Sequence, residues 1–448
     1  MERLSTYMAA ASRSPLPPEV TEKAKQHILD TFAAMVSGTT LPAAHAVLAY
    51  ARQCAGAGTA TVVGTDLVCG FPEAALVNGM LAHTDETDDS HALSHSHPGC
   101  AIVPAALSAG QQFSIGGEQF LRAVTLGYDI GTRVTMTLGG LEFQVRSHHD
   151  AHSIANTFGS SAAAGSAASL NPRQMRFLVD YAAQQASGIA AWQRDREHIE
   201  KSFVFGGGPA RNGVTAALLV HAGATGIDDI FSGPDNFLLA FSPGVNPQGL
   251  IEHLGDRYEI TETNIKKWSV GSPIQAALDA LQTILRQHSV QADQVERVVV
   301  RLATDEAETV NNREMPDISL QQMIAVMLLK GTVTFRAAHD RAAMADPAVV
   351  RERAKVALVP DAALQKLYPK LAAIVTLTTT DGRSWTERVD NVRGTTGNPM
   401  TREEVVEKSR DLMEPALGSS QTSRLIAVIL TLEKTSNLSE LGTLLRKT

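Results

Sequence analysis

Four of the 14 histidines lie within fifteen residues of one stretch, AHTDETDDSHALSHSHPG, which covers residues 82–99. The groups in it that could do chemistry are the imidazoles of His91, His95 and His97 and the carboxylates of Asp85, Asp88 and Asp89. Such side chains can bind zinc or iron, and they can equally transfer protons. No HExxH pattern, facial triad or cysteine ligand set accompanies them. A metal site, an acid/base centre and a solvated polar loop therefore remain open.

A second histidine group precedes an alanine-rich segment, in RSHHDAHSIANTFGSSAAAG. It contains Arg146, His148, His149, Asp150 and His152. Backbone amides at the start of the following helix, together with the arginine, could hold an anion. The alternative is that these histidines are hydrogen-bonded structural residues. The group gains interest because it repeats the composition of the first.

Two further segments carry cations. EKSFVFGGGPARNGV contains Lys201, a predicted flexible turn at residues 206–208, and then Arg211 and Asn212 entering a helix. The GxxxxGK[ST] order of a phosphate-binding loop is absent, and an arginine that binds a carboxylate bidentately fits a small organic acid better than a nucleotide. The structural alternative is that Arg211 ties the helix start to a neighbouring loop.

The second cationic segment, NIKKWSVGSP, places Lys266 and Lys267 at a predicted domain boundary. Clefts where two cores meet collect binding sites, so either lysine is a candidate for binding substrate. Both could equally be solvated charges of a linker.

Composition excludes several classes of protein. The 448 residues exceed the roughly 250–300 at which a single core stops growing, so two domains are expected. The net charge of -8 and the absence of long Lys/Arg runs argue against a nucleic-acid partner. Three widely spaced cysteines without CxxC indicate neither a disulfide framework nor a structural zinc site. Without an apolar leader or a run of about 18 apolar residues, we expect a cytoplasmic protein that does not bind membranes.

Most of the chain has helical periodicity. QMRFLVDYAAQQASGIAAW predicts a helix over residues 174–192, and SPIQAALDALQTILRQH predicts one over residues 272–288. Val20, Ala24, Ile28 and Phe32 recur at a spacing of four and predict an amphipathic helix that ends near Gly38. Alanine is abundant and aromatic residues make up only 5%, which favours close-packed helices. We therefore predict a mainly α protein.

The pattern changes after about residue 265. VERVVVRLA reads as a strand, and AAIVTLTTTDGRSWTERVD gives two alternating runs around Asp381 and Gly382, which predict a hairpin. Helical periodicity returns after a capping box formed by Thr401 and Glu404. The predicted architecture is a large all-helical domain built from both chain ends, residues 1–265 and 401–448, with a smaller α+β lid domain inserted at 266–400.

Taken in order, LVNGMLAHTDETDDSHALSHSHPG, HHDAHSIANTFGSSAAAG, KSFVFGGGPARNGV, KKWSVGSPIQAALDAL and PDISLQQMIAVMLL resemble the MmgE/PrpD family. That family includes 2-methylcitrate dehydratase, cis-aconitate decarboxylase and iminodisuccinate epimerase. The resemblance covers most of the chain. It implies a helical domain with an inserted α+β lid, an active site between them, and a homodimer.

The resemblance also implies roles for individual residues. Its NG…H…DD…HP signature matches Asn78, Gly79, His83, Asp85, Asp88, Asp89 and His97, with His91 after Ser90 where Thr-His is common. The family's histidine before the small-residue helix matches His152, and its lysine before the arginine turn matches Lys201 with Arg211. A further histidine of the family is replaced near Gly271, and a tyrosine of the decarboxylase-type members is Gln322. Both departures remove a possible proton donor.

The family's substrates carry a carbon acid beside a carboxylate, which makes sense of these residue types. Proton removal there builds negative charge, so cations must be close. We expect His97 and His152 as base and acid, Asp85 or Asp89 as the group that orients an imidazole, and Lys201 as a catalytic cation. The expected substrate-binding residues are Lys266, Lys267, Arg211, Asn212, His91 and Gln322.

The function expected from this reading is a cofactor-independent hydro-lyase, without a metal, that acts on a 2-methylcitrate-like or other β-hydroxy di- or tricarboxylate. A decarboxylase or epimerase with the same carbanion chemistry is the nearest alternative. A metal-dependent hydrolase that uses the His/Asp loop, and a catalytically silent binding protein, are alternatives of other classes.

Overall fold

The computed structural model describes residues 1–56 and 58–447. By its internal contacts the chain forms two units: unit 1 contains residues 1–84, 88–263 and 405–448, and unit 2 contains residues 85–87 and 264–404. The predicted lid, residues 266–400, falls within the range of unit 2. The mainly α prediction is confirmed, since helix dominates and strand is confined to small sheets.

Unit 1 consists of helices and one very small sheet. Its elements up to residue 263 are α1 (Glu2–Ala11), α2 (Pro18–Gly38), α3 (Ala44–Cys54), β1 (Ala60–Thr61), β2 (Val68–Cys69), α4 (Phe71–Ala82), α5 (Gly99–Gln112), α6 (Gly117–Leu138), α7 (Gly140–Ser147), α8 (Ala151–Ala167), α9 (Pro172–Gln185), α10 (Ile199–Ser202), α11 (Gly208–His221) and α12 (Phe237–Phe241). Helix α2 follows the predicted periodicity, with Val20, Ala24, Ile28 and Phe32 all buried. Helix α8 is buried along its whole length, as its small side chains allow.

Unit 2 has a four-stranded sheet against helices. Its elements are α13 (Ser272–His288), β3 (Val295–Ala303), α14 (Thr304–Val310), α15 (Leu320–Lys330), α16 (Phe335–Ala338), α17 (Pro347–Ala354), β4 (Val356–Asp361), α18 (Ala362–Gln365), β5 (Ala373–Thr379) and β6 (Ser384–Val389). The strand order is β4-β3-β5-β6, with β3 and β4 parallel and the other pairs antiparallel. The predicted strand and hairpin are confirmed, and Gly382 takes the positive φ of 87° that the turn requires.

The chain ends with α19 (Arg402–Leu430), kinked at Gly418, and α20 (Leu438–Leu445). At the start of α19 the predicted capping box is present. The amide of Glu404 donates to Thr401 Oγ1 at 3.3 Å, and the Glu404 carboxylate accepts from the amide of Thr401 at 2.8 Å. Among the helices that the structure describes, none has both the length and the apolarity needed to cross a membrane.

Two local predictions are wrong. Residues 206–208 do not form a flexible turn, because Phe203–Gly207 is a π-helical turn that leads directly into α11. Glycine is needed there because a Cβ on Gly206 would collide with the backbone of Gly79 in α4.

The helix predicted to continue from α9 as far as Trp192 instead ends at Gln185. Gly188 then takes a φ of 102°, and its carbonyl accepts from the amide of Asp150 at 3.0 Å. The chain thereby returns to the start of α8 and brings Trp192 beside Asp150, whose Oδ1 accepts the indole N–H at 2.9 Å.

Candidate active site

Unit 1 gathers histidines from three separate segments around the ring of Phe205. His83 caps the C-terminal end of α4, His97 lies just before α5, and His152 is in the first turn of α8. Their ring centroids lie 4.6, 5.6 and 3.8 Å from that of Phe205. The π-helical turn that carries Phe205 is therefore what brings the histidine segments of the sequence together.

One carboxylate, Asp88, binds two of these imidazoles. Its Oδ2 is 2.9 Å from Nδ1 of His83, and its Oδ1 is 3.3 Å from Nδ1 of His97. Burial lowers the pKa of His83 to about 3, although Asp88 opposes the shift, so this imidazole is neutral at pH 7. Burial would raise the pKa of Asp88, but its two histidines outweigh burial and hold the pKa well below its usual range. From these contacts we assign a hydrogen to Nδ1 of both rings, which leaves Nε2 of the neutral His83 with a lone pair and Nε2 of His97 as the atom that exchanges a proton.

His152 has a carboxylate partner of its own. Its Nδ1 is 3.1 Å from Oδ1 of Asp150, and Oδ2 of the same carboxylate caps α8 by accepting the amide of Ser153 at 2.7 Å. Trp192 also donates to Asp150, so the orientation of the carboxylate is fixed by the backbone and by a ring. Burial lowers the pKa of His152 despite Asp150, which keeps the imidazole neutral at pH 7. Such an imidazole can accept a proton at Nε2.

Lys201 supplies a cation beside these imidazoles. Its Nζ lies 5.2 Å from the ring centroids of both Trp192 and Phe205, a cation–π arrangement. Its charge also helps to lower the pKa of His152 and of His83. The cluster therefore combines neutral bases with a positive charge, which suits a reaction that builds an anion.

Asn156 joins the parts of this cluster and was not among the predicted residues. Its Nδ2 donates to the backbone carbonyl of His97 at 2.9 Å and to that of Phe205 at 2.7 Å. It lies one helical turn after His152 in α8, so the i, i+4 spacing places both on one helix face. That spacing was a signal that sequence reading could have used.

In unit 2, Asp85 pairs with a histidine that the sequence did not single out. Its Oδ2 is 2.9 Å from Nε2 of His339, whose Nδ1 donates to the carbonyl of Phe335 at 2.8 Å. Asp317 lies 3.9 Å from the same Nε2. Burial would lower the pKa of His339, but its hydrogen bond and ion pair with Asp85 prevail and raise it to about 9. Both ring N–H groups are used within unit 2, so His339 is a charged anchor for residues 85–87.

This ion pair predicts a pH-dependent stability. The raised pKa of His339, from 6.5 to about 9, corresponds to about 3 kcal/mol in favour of the folded state. The contribution is complete below pH 6.5 and disappears as the pH rises through 9. The melting temperature of His339→Gln should therefore fall furthest below that of the wild type near pH 6, and the gap should close by pH 10. His288→Gln, an exposed histidine of unit 2, is the control; a gap for His339→Gln that widens with pH would contradict the assignment.

The two boundary lysines have different surroundings within unit 2. Nζ of Lys266 donates to the backbone carbonyl of Glu86 at 2.8 Å and lies 3.6 Å from its carboxylate. Nζ of Lys267 contacts Asp279 at 3.3 Å and Gln282 at 2.8 Å, and it lies over the ring of Trp268. Lys267 is thereby engaged with α13, whereas Lys266 is engaged with the acidic segment 85–87.

Two protein-family models match the chain. The model of the MmgE/PrpD N-terminal domain matches residues 2–249, and that of the MmgE/PrpD C-terminal domain matches residues 268–434. The chain belongs to the MmgE/PrpD family. The resemblance inferred from the sequence motifs is thus confirmed.

Several relatives within the MmgE/PrpD family are named for decarboxylation. The cis-aconitate decarboxylase-like protein oryM of Aspergillus oryzae is 25% identical, covering 98% of this chain and 95% of its own. The human cis-aconitate decarboxylase is 26% identical over 99% and 94%, and that of Aspergillus terreus is 21% identical over 96% and 92%. The chain is therefore similar to lyases over nearly its whole length.

Two residues that were predicted for the site, Asp89 and His91, are hydrogen-bonded to other groups of unit 1. Asp89 accepts from Tyr128 Oη at 2.5 Å and from the amide of Gly99 at 2.9 Å, and it pairs with Nδ1 of His27 at 2.7 Å. His91 contacts Ser94 Oγ at 2.8 Å through Nδ1.

Three further predicted residues differ in their exposure. Arg211 is exposed on α11, and Asn212, which follows it, is half-buried with its carbonyl accepting from Gln185 at 3.3 Å. Gln322 is fully buried in α15. Their predicted roles in substrate binding remain predictions.

The metal alternative has a definite candidate. One nitrogen each from His83 and His97 and one oxygen from Asp88 lie within 4.8 Å of one another, close enough to bind one ion. The same three groups form the His83–Asp88 hydrogen bond and the His97–Asp88 ion pair. The geometry is compatible both with metal binding and with proton transfer, so a chemical test must decide between them.

Proposed function

We propose that this protein is a lyase that removes a proton from a carbon beside a carboxylate of a di- or tricarboxylate, most simply as a hydro-lyase acting on a β-hydroxy acid. The observation that carries the proposal is the His152–Asp150 pair beside Lys201. It provides a neutral imidazole as base, a carboxylate that stabilises the resulting imidazolium, and a cation for the carboxylate on which charge develops.

The proton transfers follow from the tautomers. Nε2 of His152 accepts the carbon-bound proton, and Asp150 holds the ring through Nδ1. Protonated His97, held through Nδ1 by Asp88 and 5.5 Å from His152 between ring centroids, is the candidate acid that donates from Nε2 to the departing hydroxyl group, which leaves as water. Lys201 stabilises the enolate-like charge between these two steps. Lys266 is retained as a proposed substrate cation.

Decarboxylation is the second candidate, and the names of the relatives favour it. It needs the same stabilisation of a carbanion but a different bond to break. Gln322 stands where the decarboxylase-type members carry a tyrosine, so the proton donor that the resemblance implies is missing. This difference is why we place the hydro-lyase first.

The test is proton NMR of metal-stripped protein with a panel of citrate-like acids in deuterated water. We expect exchange of the C–H beside a carboxylate, with a new alkene signal for a hydro-lyase, release of carbon dioxide for a decarboxylase, or inversion for an epimerase. Exchange that appears only after zinc or iron is added would show that the histidines bind a metal ion on which the reaction depends. Binding of the acids without any exchange would identify a silent binding protein.

A further inference from the structure

The start of α15 has the sequence of a capping box but does not form one. Ser319 is the N-cap residue and Gln322 is the third residue of the helix, the S-x-x-Q spacing in which each side chain bonds the other's backbone amide. Neither bond is present: the N-cap makes no side-chain hydrogen bond, and the amide of Ser319 donates instead to the carbonyl of Pro316 at 3.1 Å. The two side chains are therefore not used to stabilise the helix end.

Both side chains are nevertheless buried. Ser319 and Gln322 are each 0% exposed, and within residues 1–56 and 58–447 no partner is found for Ser319 Oγ or for Nε2 and Oε1 of Gln322. A buried polar atom without a hydrogen bond is costly, so three of them within one helical turn require an explanation. Functional sites are where such a cost is tolerated, because a ligand supplies the missing bonds.

Other glutamines of the chain show that the amides are ordinarily satisfied. At the start of α9, Asn171 and Gln174 have the same spacing and form the complete capping box, with two bonds of 3.0 Å. Gln321, beside Gln322, accepts from the amide of Asn312 and donates to Asn311 at 2.8 Å. In contrast to these two glutamines, Gln322 has no hydrogen-bond partner among the described residues for either atom of its amide.

The free groups define the ligand that would satisfy them. The Ser319 hydroxyl, Nε2 of Gln322 and the N–H groups of a helix start all donate, which suits a carboxylate. Oε1 of Gln322 can only accept, so it needs a donor on the ligand next to that carboxylate. Asp317 lies 3.9 Å from Nε2 of the charged His339 and shares this cation with Asp85.

We propose that Ser319 and Gln322 form a subsite for a carboxylate whose neighbouring carbon carries a hydroxyl group. The inference rests on the proposed function for the identity of the ligand as substrate, and it adds a selectivity. An acid without the hydroxyl group leaves Oε1 buried and unpaired, so it binds less tightly by about 10-fold or more.

The test compares citrate with tricarballylate, and malate with succinate, because the members of each pair differ only in the hydroxyl group. In calorimetric titration of the intact protein, we expect the hydroxylated acid of at least one pair to bind at least about 10-fold more tightly than its partner without the hydroxyl group. Gln322→Met, which keeps the size of the side chain, should abolish that preference, and Ser319→Ala should weaken binding of both members of the pair.

Thermal melting separates a ligand subsite from a helix cap. Because the pair makes no capping bonds, Ser319→Ala and Gln322→Met should leave the melting temperature unchanged or raise it. Asn171→Ala, which breaks the matched capping box, should lower it. Three results would overturn the inference. The preference for the hydroxylated acid could survive Gln322→Met, Ser319→Ala could lower the melting temperature as much as Asn171→Ala does, or the wild type could bind neither member of either pair. A hydroxyl preference without any deuterium exchange would leave the subsite standing and overturn the proposed function.

Discussion

His152→Ala should lower kcat of this enzyme by about 10³-fold, the usual contribution of a general base. The substitution removes Nε2, the atom that accepts the proton, and leaves the carboxylate of Asp150 with its bonds to Ser153 and Trp192. Because that carboxylate keeps its role as helix cap, the fold should persist. The measurement is kcat and deuterium exchange with the best acid of the panel, together with the melting temperature.

The matched control is His148→Asn. His148 lies four residues before His152, is exposed, and has a φ of 61°, a conformation that asparagine tolerates. It should leave kcat within about twofold of the wild type, since substitutions at exposed positions rarely matter. Equal losses in both variants would show that the segment, and not the base, is responsible.

The pH profile supplies a second readout for His152. Burial lowers its pKa below the ordinary 6.5, so the neutral, active form persists at lower pH than for an exposed imidazole. The acid limb of kcat/KM should accordingly lie below pH 6.5. A limb at or above pH 6.5 would mean that another group is the base.

The fold was predictable from the sequence where one physical signal dominated. Strand β3 and helix α13 have the predicted bounds. An alternating β-branched run indicates only a strand, and a sustained 3.6-residue period indicates only a helix. The segment of residues 206–208 was misread because glycine is used both for turns and for close packing. Only the position of Gly79 in α4 decides between the two uses.

The candidate site was predictable in its residue types but not in its pairings. His97 and His152, the expected base and acid, do lie close together, with ring centroids 5.5 Å apart. Which carboxylate orients which imidazole could not be read from DETDDS, since a shift of one residue in a loop reverses the direction of a side chain. His339 gave no local signal at all, because its partner Asp85 is remote in sequence.

Asp88→Asn should lower kcat by about 10³-fold, because one amide cannot replace a carboxylate that accepts from two imidazoles. Its single oxygen can accept from His83 or from His97, while its NH2 group faces the other ring and forces the opposite tautomer. When the NH2 group faces His97, that ring can no longer carry hydrogens on both nitrogens, which it needs in order to donate one from Nε2. The measurement is kcat against pH, with metal content determined on the same samples.

The control is Asp89→Asn at the neighbouring position, which distinguishes a loss of catalysis from a loss of stability. Asp89 accepts from Tyr128 and from the amide of Gly99 and pairs with His27. Its replacement should lower the free energy of unfolding by about 2 kcal/mol, with a smaller effect on kcat in the folded fraction. If Asp88→Asn instead loses a stoichiometric metal ion present in the wild type, His83, Asp88 and His97 are metal ligands and the proton-transfer roles given to them here do not hold. If kcat falls while the metal content stays the same, the shared carboxylate acts by fixing tautomers, and the two adjacent aspartates have separate tasks.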